Sequence, residues 1–325
     1  MQDVAHRAGV SLATVSRVVN ETDYPVSESV RNRVLTAVEE LNYVPNIQAQ
    51  QLRTRSNNVI GLIVRDIADS YFGELARAVT ERALELGFLS FVCNTGREPR
   101  NELRYHELLW QHRVRGIILA GGGMSTVAYR QMLERQAQRF RDHGMRIIAL
   151  APQGVEIRSV SVNYVEVAEM ITHYVIARAH RSIALITGRE DVVTCAEHLQ
   201  GYKNALREGG LPFREDLVVY SDFTEASGYK SMMELLSRNL SFSAVFCGSD
   251  TIAIGALQAL SHKNRHVPRD VSVLSIGDLP QAQYTTPPLT TVRIPRGQMA
   301  EQAVNAIIGE AEEEGEGEGD FLFHP

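Results

Sequence analysis

Leu12, Ala13, Arg17 and Asn20 share one side of a helix if the segment following Gly9 is helical, because positions three to four apart lie on a common face. An arginine fork can pair with both acceptors of a guanine edge, and small apolar groups can meet a thymine methyl, so such a face suits the major groove of B-DNA. Ser11, Thr14 and Ser16 add hydroxyls that match phosphate oxygens, which fix a helix in place without reading bases. A second set of candidates lies behind apolar runs: Asp66, Asp69, Tyr71 and Phe72 after the first, Asn94 after the second, and Ser249 with Asp250 after Phe246. Carboxylates and amides can chelate pairs of hydroxyls while an aromatic face covers C–H groups, which is the chemistry of a sugar site. A strand-end Asp also caps the helix that follows it, and Asp250, ahead of Ile252 and Ala253, fits either role.

The elements that must carry these groups are legible from spacing. Val4, Ala5 and Ala8, then Val15, Val18 and Val19, then Val30, Val34, Val38 and Leu41 recur at helical intervals, giving three short helices with a tight turn at Gly9 and Val10. Ser11 is placed to cap the second and Ser27 the third; Pro45 forbids continuation, and Asn46 can cap a short fourth helix through Ala49 and Leu52. From residue 58 apolar runs alternate with amphipathic stretches. Strands are expected at 59–64, 88–92, 116–120, 146–150, 183–187, 244–247 and 271–276, with helices such as 71–86 and 165–179 between them. That alternation implies parallel sheets covered on both faces, in two units, with 152–159 as the crossing. The same periodicity in residues 1–45 equally fits a plain helical subdomain.

With 325 residues, 44% hydrophobic content and 3 Cys, the chain has the make-up of a packed protein of two or three domains. Cys93, Cys195 and Cys247 are far apart, so they are expected as reduced, buried thiols. The net charge of -6 argues at first against a phosphate-rich partner. Seven of the acidic residues fall in 309–320, GEAEEEGEGEGD, a segment expected to be solvated, with a short strand following at 321–323. Without them 32 acidic residues face 33 basic ones, and residues 1–57 balance at six of each. The start of the chain has no signal-peptide core and no window is apolar enough to span a membrane, so a cytoplasmic protein is expected.

DVAHRAGVSLATVSRVVN (residues 3–20), followed by PVSESVRNRVLTAVEELNYVPNIQAQQL (25–52), closely resembles the DNA-binding headpiece of the lactose/galactose repressor (LacI/GalR) family of bacterial transcription regulators. HRVRGIILAGG, HRSIALITGRED, QGYKNALREGGLPF, FCGSDTIAIGAL and YTTPPLTTVR resemble the family's regulatory core. The resemblance implies an α/β protein with a helix-turn-helix headpiece at 1–45, a hinge helix and linker at 46–57, and a two-lobed core at 58–325 similar to periplasmic binding proteins. The first lobe would take about 58–158 and 289–318, and the second about 159–288 and 319–325.

It further implies base reading by Leu12, Ala13 and Arg17. Support on DNA would come from Ser11, Thr14, Ser16, Asn20, Ser27, Asn46, Ala49 and Arg53, with Leu52 wedged into the minor groove. The implied effector positions are Asp69, Tyr71, Phe72, Asn163, His198, Asp250 and Gly277. Several depart from the family pattern. His198 stands for a usual Arg, Gly277 for a usual Asp, Asn163-Tyr164 for Asp-Asn, and Asp69-Ser70 for Asn-Pro, which argues against a simple hexose. The implied partners are a palindromic operator, a second copy of the chain and a sugar or related metabolite, without cofactor or metal. The Glu/Gly segment has no heptad repeat for a tetramer, so a dimer is expected.

Two other functions compete. A solute-binding or sensor protein without operator control fits the core but not the headpiece. A nucleotide-dependent dehydrogenase is suggested only by Gly121, Gly122 and Gly123 after a strand, without GxGxxG spacing, and GxxxxGK[ST], HExxH and GxSxG are missing as well. An enzyme is therefore not expected.

Overall fold

Val4, Ala8, Val15, Val18, Val34 and Ala37 are all buried against one another and hold together α1 (Gln2–Ala8), α2 (Leu12–Val19) and α3 (Glu28–Glu40). Gly9 ends α1 in the left-handed conformation, at φ 65, and the chain turns at once into α2. The hydroxyl of Ser11 accepts a bond from the Thr14 backbone N–H at 3.2 Å and so caps α2. Ser27 stands at the start of α3 as expected, but its hydroxyl makes no capping bond and lies 3.4 Å from that of Ser29. The third helix stops at Glu40, earlier than Pro45 requires, and Asn42 follows with a positive φ of 44. The computed structural model describes residues 1–19, 24–44, 57–309 and 321–323, and the chain divides into two compact units, Met1–Asn57 and Asn58–Pro325. Asn20, Asn46, Ala49, Leu52, Arg53 and the acidic segment 310–320 lie outside the described residues.

In the second unit, β1 (Val59–Val64), β2 (Leu89–Asn94), β3 (Gly116–Ala120) and β4 (Arg146–Ala149) form a parallel sheet in the order β2-β1-β3-β4. Between them run α4 (Ser70–Glu85), α5 (Pro99–Gln111) and α6 (Val127–Arg141). Then come β5 (Val160–Val162), α7 (Tyr164–Ala177), β6 (Ile183–Thr187), α8 (Val193–Glu208), β7 (Val218–Tyr220), α9 (Glu225–Ser237), β8 (Ala244–Cys247), α10 (Asp250–His262), β9 (Ser272–Gly277) and β10 (Thr290–Arg293). The second parallel sheet runs β10-β9-β8-β6-β7. Finally α11 (Arg296–Ile308) packs on α4 and β4, and β11 (Phe321–Phe323) pairs with β5. β3, β6 and β8 are buried at every position, which is why they read as unbroken apolar runs.

The strand pairing corrects the expected partition of the lobes at three places. Thr290 pairs with Leu274 and Arg293 with Gly277, so 290–293 belongs to the second sheet, and the return to the first lobe falls at Ile294 and Pro295. Residues 160–162 and 321–323, expected in the second lobe, pair with each other, and a Ser159–Ala149 bridge joins them to the edge of the first sheet. The three strands not read from the sequence, β5, β7 and β10, are only three or four residues long, and β10 (TTVR) has no buried position.

Candidate functional site

In α2, Val15 and Val18 point into the helical core, so Leu12 and Ala13 face solvent and Thr14, Ser16 and Arg17 are half-buried. Leu12 is 47% exposed. The Arg17 guanidinium lies 3.8 Å from the centre of the Tyr24 ring, which restrains a long side chain. The Ser11 and Thr14 hydroxyls are 2.9 Å apart at the helix start, where the backbone N–H groups and helix dipole favour an anion.

The core encloses a cavity of about 120 Å³ lined from both lobes. It approaches in size the roughly 150 Å³ that holds a single benzene ring. Of the expected effector positions, Asp69, Tyr71, Phe72, His198 and Gly277 line it. The Asp69 carboxylate caps α4 by accepting from the Tyr71 N–H at 3.0 Å and also accepts from Arg97 at 3.0 Å; burial outweighs these bonds and pushes its carboxyl up. The Tyr71 hydroxyl lies 3.3 Å from that of Tyr164 across the cleft, and burial raises both phenols. His198 is 3% exposed and stands edge-on to Tyr164, with ring centres 5.5 Å apart. Its Nδ1 is 3.4 Å from the Thr187 hydroxyl, its Nε2 has no protein partner, and burial lowers the imidazole to about 4. The ring is thus neutral at pH 7 and offers one nitrogen to a ligand.

Two expected effector residues do not line the cavity. Asn163 spends its side-chain oxygen on the Val165 and Glu166 N–H groups at 3.1 and 3.2 Å, capping α7. Asp250 is fully buried and accepts from Ser275, Thr291 and the Leu279 N–H at 2.5, 2.6 and 2.6 Å, tying α10 to β9, β10 and the loop after β9. The cap of α10 is Ser249, whose hydroxyl accepts from Ile252 at 3.1 Å, while Ser249 also lines the cavity. A Cβ on Gly277 would stand 2.8 Å from Oδ2 of Asp250, so the carboxylate occupies the space a side chain there would need. Asp66 and Asn94 serve the loops themselves: Asp66 accepts from Ala68 at 3.1 Å, and Asn94 from Ile67 at 3.3 Å.

The sequence reading missed three arginines on the cavity wall, Arg65, Arg97 and Arg189, along with Asp222, Phe223 and Thr194. Arg65 donates to the Gly122 carbonyl and lies 3.7 Å from Glu102; Arg189 holds Asp191 at 2.7 and 2.9 Å. Arg65 directly follows β1, and Arg189 follows β6 by two residues, so the rule that ligands gather beyond strand ends would have found both. Asp222 and Phe223 follow β7, a strand with no readable pattern. The three cysteines are buried and free, and burial raises Cys93 to about 11 and Cys195 to about 12. Among the described residues no helix is long and apolar enough to cross a membrane.

Comparison with known proteins supplies a second line of support. Residues 1–46 match the profile of bacterial regulatory proteins of the lacI family, and residues 57–319 that of periplasmic binding proteins and the sugar binding domain of the LacI family. The ribose operon repressor of Escherichia coli (strain K12) is 33% identical over 308 residues, covering 95% of this chain and 92% of the repressor. The HTH-type transcriptional repressor PurR of Vibrio atlanticus (strain LGP32) is 30% identical over 325 residues, covering 100% and 96%. Among solved structures, a lac repressor dimer bound to operator and the anti-inducer ONPF matches with TM-score 0.88 and 25% identity over 99% of this chain and 95% of that one. A complex of the transcriptional regulator CelR with cellobiose matches with TM-score 0.71 and 32% identity over 99% and 96%.

A headpiece that matches lacI-family regulatory proteins and a core that matches the family's sugar binding domain, in the same chain, define an effector-responsive DNA-binding regulator. The chain belongs to the lacI family of bacterial regulatory proteins, whose members are transcriptional regulators rather than enzymes.

Proposed function

We propose that this protein is a cytoplasmic repressor that binds a palindromic operator as a homodimer and changes its DNA affinity when a sugar or related small metabolite fills the cleft between the lobes. The observation that carries this reading is α2, with Val15 and Val18 buried, Leu12 and Ala13 exposed, and Arg17 half-buried. Leu12, Ala13 and Arg17 read bases, and Ser11, Thr14, Ser16 and Ser27 bind phosphates. Asn20 and the hinge positions Asn46, Ala49, Leu52 and Arg53 complete the contact. A dimer is supported by the β2 edge of the first sheet, where Leu89 and Phe91 are 63% and 42% exposed, and by Tyr284, which is 79% exposed. Apolar groups on an unpaired strand edge call for a covering partner.

In the cleft, Asp69, Arg97, Arg189 and Asp222 offer polar contacts, His198 offers its free nitrogen, and Tyr71, Phe72 and Phe223 cover apolar faces. The test is fluorescence anisotropy on a palindromic duplex selected from a random pool by the full chain. Arg17→Ala is expected to weaken binding about 10- to 100-fold, the size of one lost bidentate base contact. Unchanged affinity in both Arg17→Ala and Leu52→Ala would reject the reading in favour of a sensor protein without operator control.

A further inference from the structure

The charged side chains on the wall of the ligand cavity are unequally matched. Asp69 accepts from the Tyr71 N–H with one oxygen and from Arg97 with the other, at 3.0 Å each, and Arg189 is held by Asp191. Arg65 has no carboxylate within hydrogen-bond distance among the described residues. Its nearest, Glu102, stands 3.7 Å away and accepts from the Tyr129 hydroxyl at 2.7 Å. The Nε of Arg65, the Nε of Arg97 and the Nε2 of His198 are buried without a hydrogen-bond partner among the described residues. The Arg97 backbone N–H donates to the Arg65 carbonyl at 2.9 Å, so the two arginines leave neighbouring strand ends of the first lobe, while His198 comes from α8 of the second.

Acceptors are scarcer on the same wall. Both oxygens of Asp69 are in use, Asp222 is exposed to solvent, Asp250 is occupied by Ser275, Thr291 and Leu279, and Gly277 has no side chain. The hydroxyls of Tyr71 and Tyr164 are turned to each other at 3.3 Å. A ligand hydroxyl brings a donor along with its acceptor sites, whereas an ionised carboxylate only accepts. A polyol enclosed here would strand its donors, at a cost in affinity, and would leave Arg65 without a counter-charge. Much of the remaining wall is apolar, with Phe72, Met124, Val192, Ile276, Leu279 and Ile294, and the cavity of about 120 Å³ is on the scale of one benzene ring.

We propose that the cleft selects a small monocarboxylate with an apolar, ring-sized body over a polyol, its carboxylate accepting from Arg65 and Arg97. Arginine forks suit this group, because two parallel N–H donors meet its two oxygens and the charge strengthens both bonds. The apolar side chains then cover the body of the ligand, and the scarcity of free acceptors becomes the basis of selection against hydroxyl-rich compounds. The proposal narrows the metabolite that the cleft takes, and it rests on the proposed control of DNA affinity by that cleft.

The test is isothermal titration of the full chain at pH 7 with three probes: benzoate, its neutral isostere benzamide, and ribose. Benzoate is expected to bind about 10- to 100-fold more tightly than benzamide, the size of a charge-assisted hydrogen bond, and ribose more weakly than either. Arg65→Gln is expected to remove that advantage while benzamide affinity stays within about twofold, which shows that the cavity is still formed. If Arg65→Gln loses benzamide as well, Arg97→Gln decides in its place by the same comparison. Ribose binding at least as tightly as benzoate, equal affinity for benzoate and benzamide, no saturable benzoate binding at millimolar concentration, or an arginine variant that keeps the benzoate advantage overturns the proposal.

Anisotropy on the selected palindrome separates the two readings. Benzoate that binds as described but leaves operator affinity unchanged keeps the carboxylate site and removes the control of DNA. Operator affinity that responds to ribose and not to benzoate keeps the control and overturns the carboxylate site.

Discussion

The headpiece and the core place their recognition groups in opposite settings. In residues 1–44 the groups sit on the outside of α2, and burial is left to valines and alanines on its other side. In the core the groups are turned inward, and the charged ones are held by neighbours: Arg97 by Asp69 and Arg189 by Asp191. The difference follows from the partner. A duplex brings its own rigid surface and charge, so the protein needs only a protruding helix of the right shape. A small molecule must be surrounded and separated from water, so polar groups are desolvated in advance and held by neighbours.

The sharpest break of that comparison is a charge placed in the headpiece core. Val18 is 2% exposed and is one of six buried residues in the helical core among the described residues, and a unit so small has a few kcal/mol of stability at most. Val18→Asp is expected to unfold residues 1–44 and abolish operator binding, while the core's thermal transition stays where it was. Calorimetry and anisotropy on the same sample read both, and a joint shift of the two would mean the units do not fold separately.

In the core the corresponding change is Asp250→Ala, which leaves the buried Ser275 hydroxyl and Leu279 N–H and the half-buried Thr291 hydroxyl without this acceptor. At about 1 to 3 kcal/mol for each stranded group, partly relieved by relaxation, it is expected to cost about 3 to 5 kcal/mol and lower the core transition by roughly 10 °C. Headpiece stability should not change. A shift below about 2 °C would show that Asp250 contributes no such tie.

Acid should also separate the two regions. The His198 ring takes up its proton near 6.5 in the unfolded chain but only near 4 when folded, because burial penalises the cation. Between those values the unfolded state binds more protons, so the contribution is complete above about pH 6.5 and is lost as pH falls toward 4. At about 1.4 kcal/mol per unit this removes up to about 3 kcal/mol. Buried His106, lowered for the same reason, adds to the loss, so the readout is the difference from His198→Gln. The variant's core is expected to lose measurably less stability between pH 6.5 and 4 in urea titrations, and parallel curves would refute the assignment.

The smallest effect belongs to Ser11→Ala. Losing the hydroxyl that caps α2 is expected to cost the headpiece about 1 kcal/mol, seen as a lower melting midpoint of residues 1–44 with the core unchanged.

How much of this was legible beforehand depended on how local each feature is. The seven apolar runs of 58–276 became strands within two residues of the expected ends; for β1, β3, β6, β8 and β9 the reason is that a strand buried on both faces writes its burial directly as a run of Val, Ile and Leu, whereas β2 keeps the run with most of its side chains exposed. The short β5, β7 and β10 left no such mark, and with β7 went Asp222 and Phe223 on the cavity wall. Asp69, Tyr71 and His198, expected at an effector, line the cavity, while Asn163 and Asp250, expected there as well, serve a helix cap and a buried polar knot. Residue type identified them as polar groups near strand ends. It could not say whether a backbone N–H or a cavity would claim them.

By itself the sequence determined the alternation of helix and strand, the burial of Val15 and Val18, and thereby the outward display of Leu12, Ala13 and Arg17, since each follows from the fixed period of a single element. Only the tertiary structure decided that Arg65, Arg97 and Arg189 share one cavity, that β10 belongs to the second sheet, and that Gly122 and Gly123 stand too close to Thr194 and Gln153 for a side chain. Those neighbours come from loops up to 124 residues apart, such as Arg65 and Arg189, and the order of strands in two sheets brings them together. No periodicity along the chain records that order.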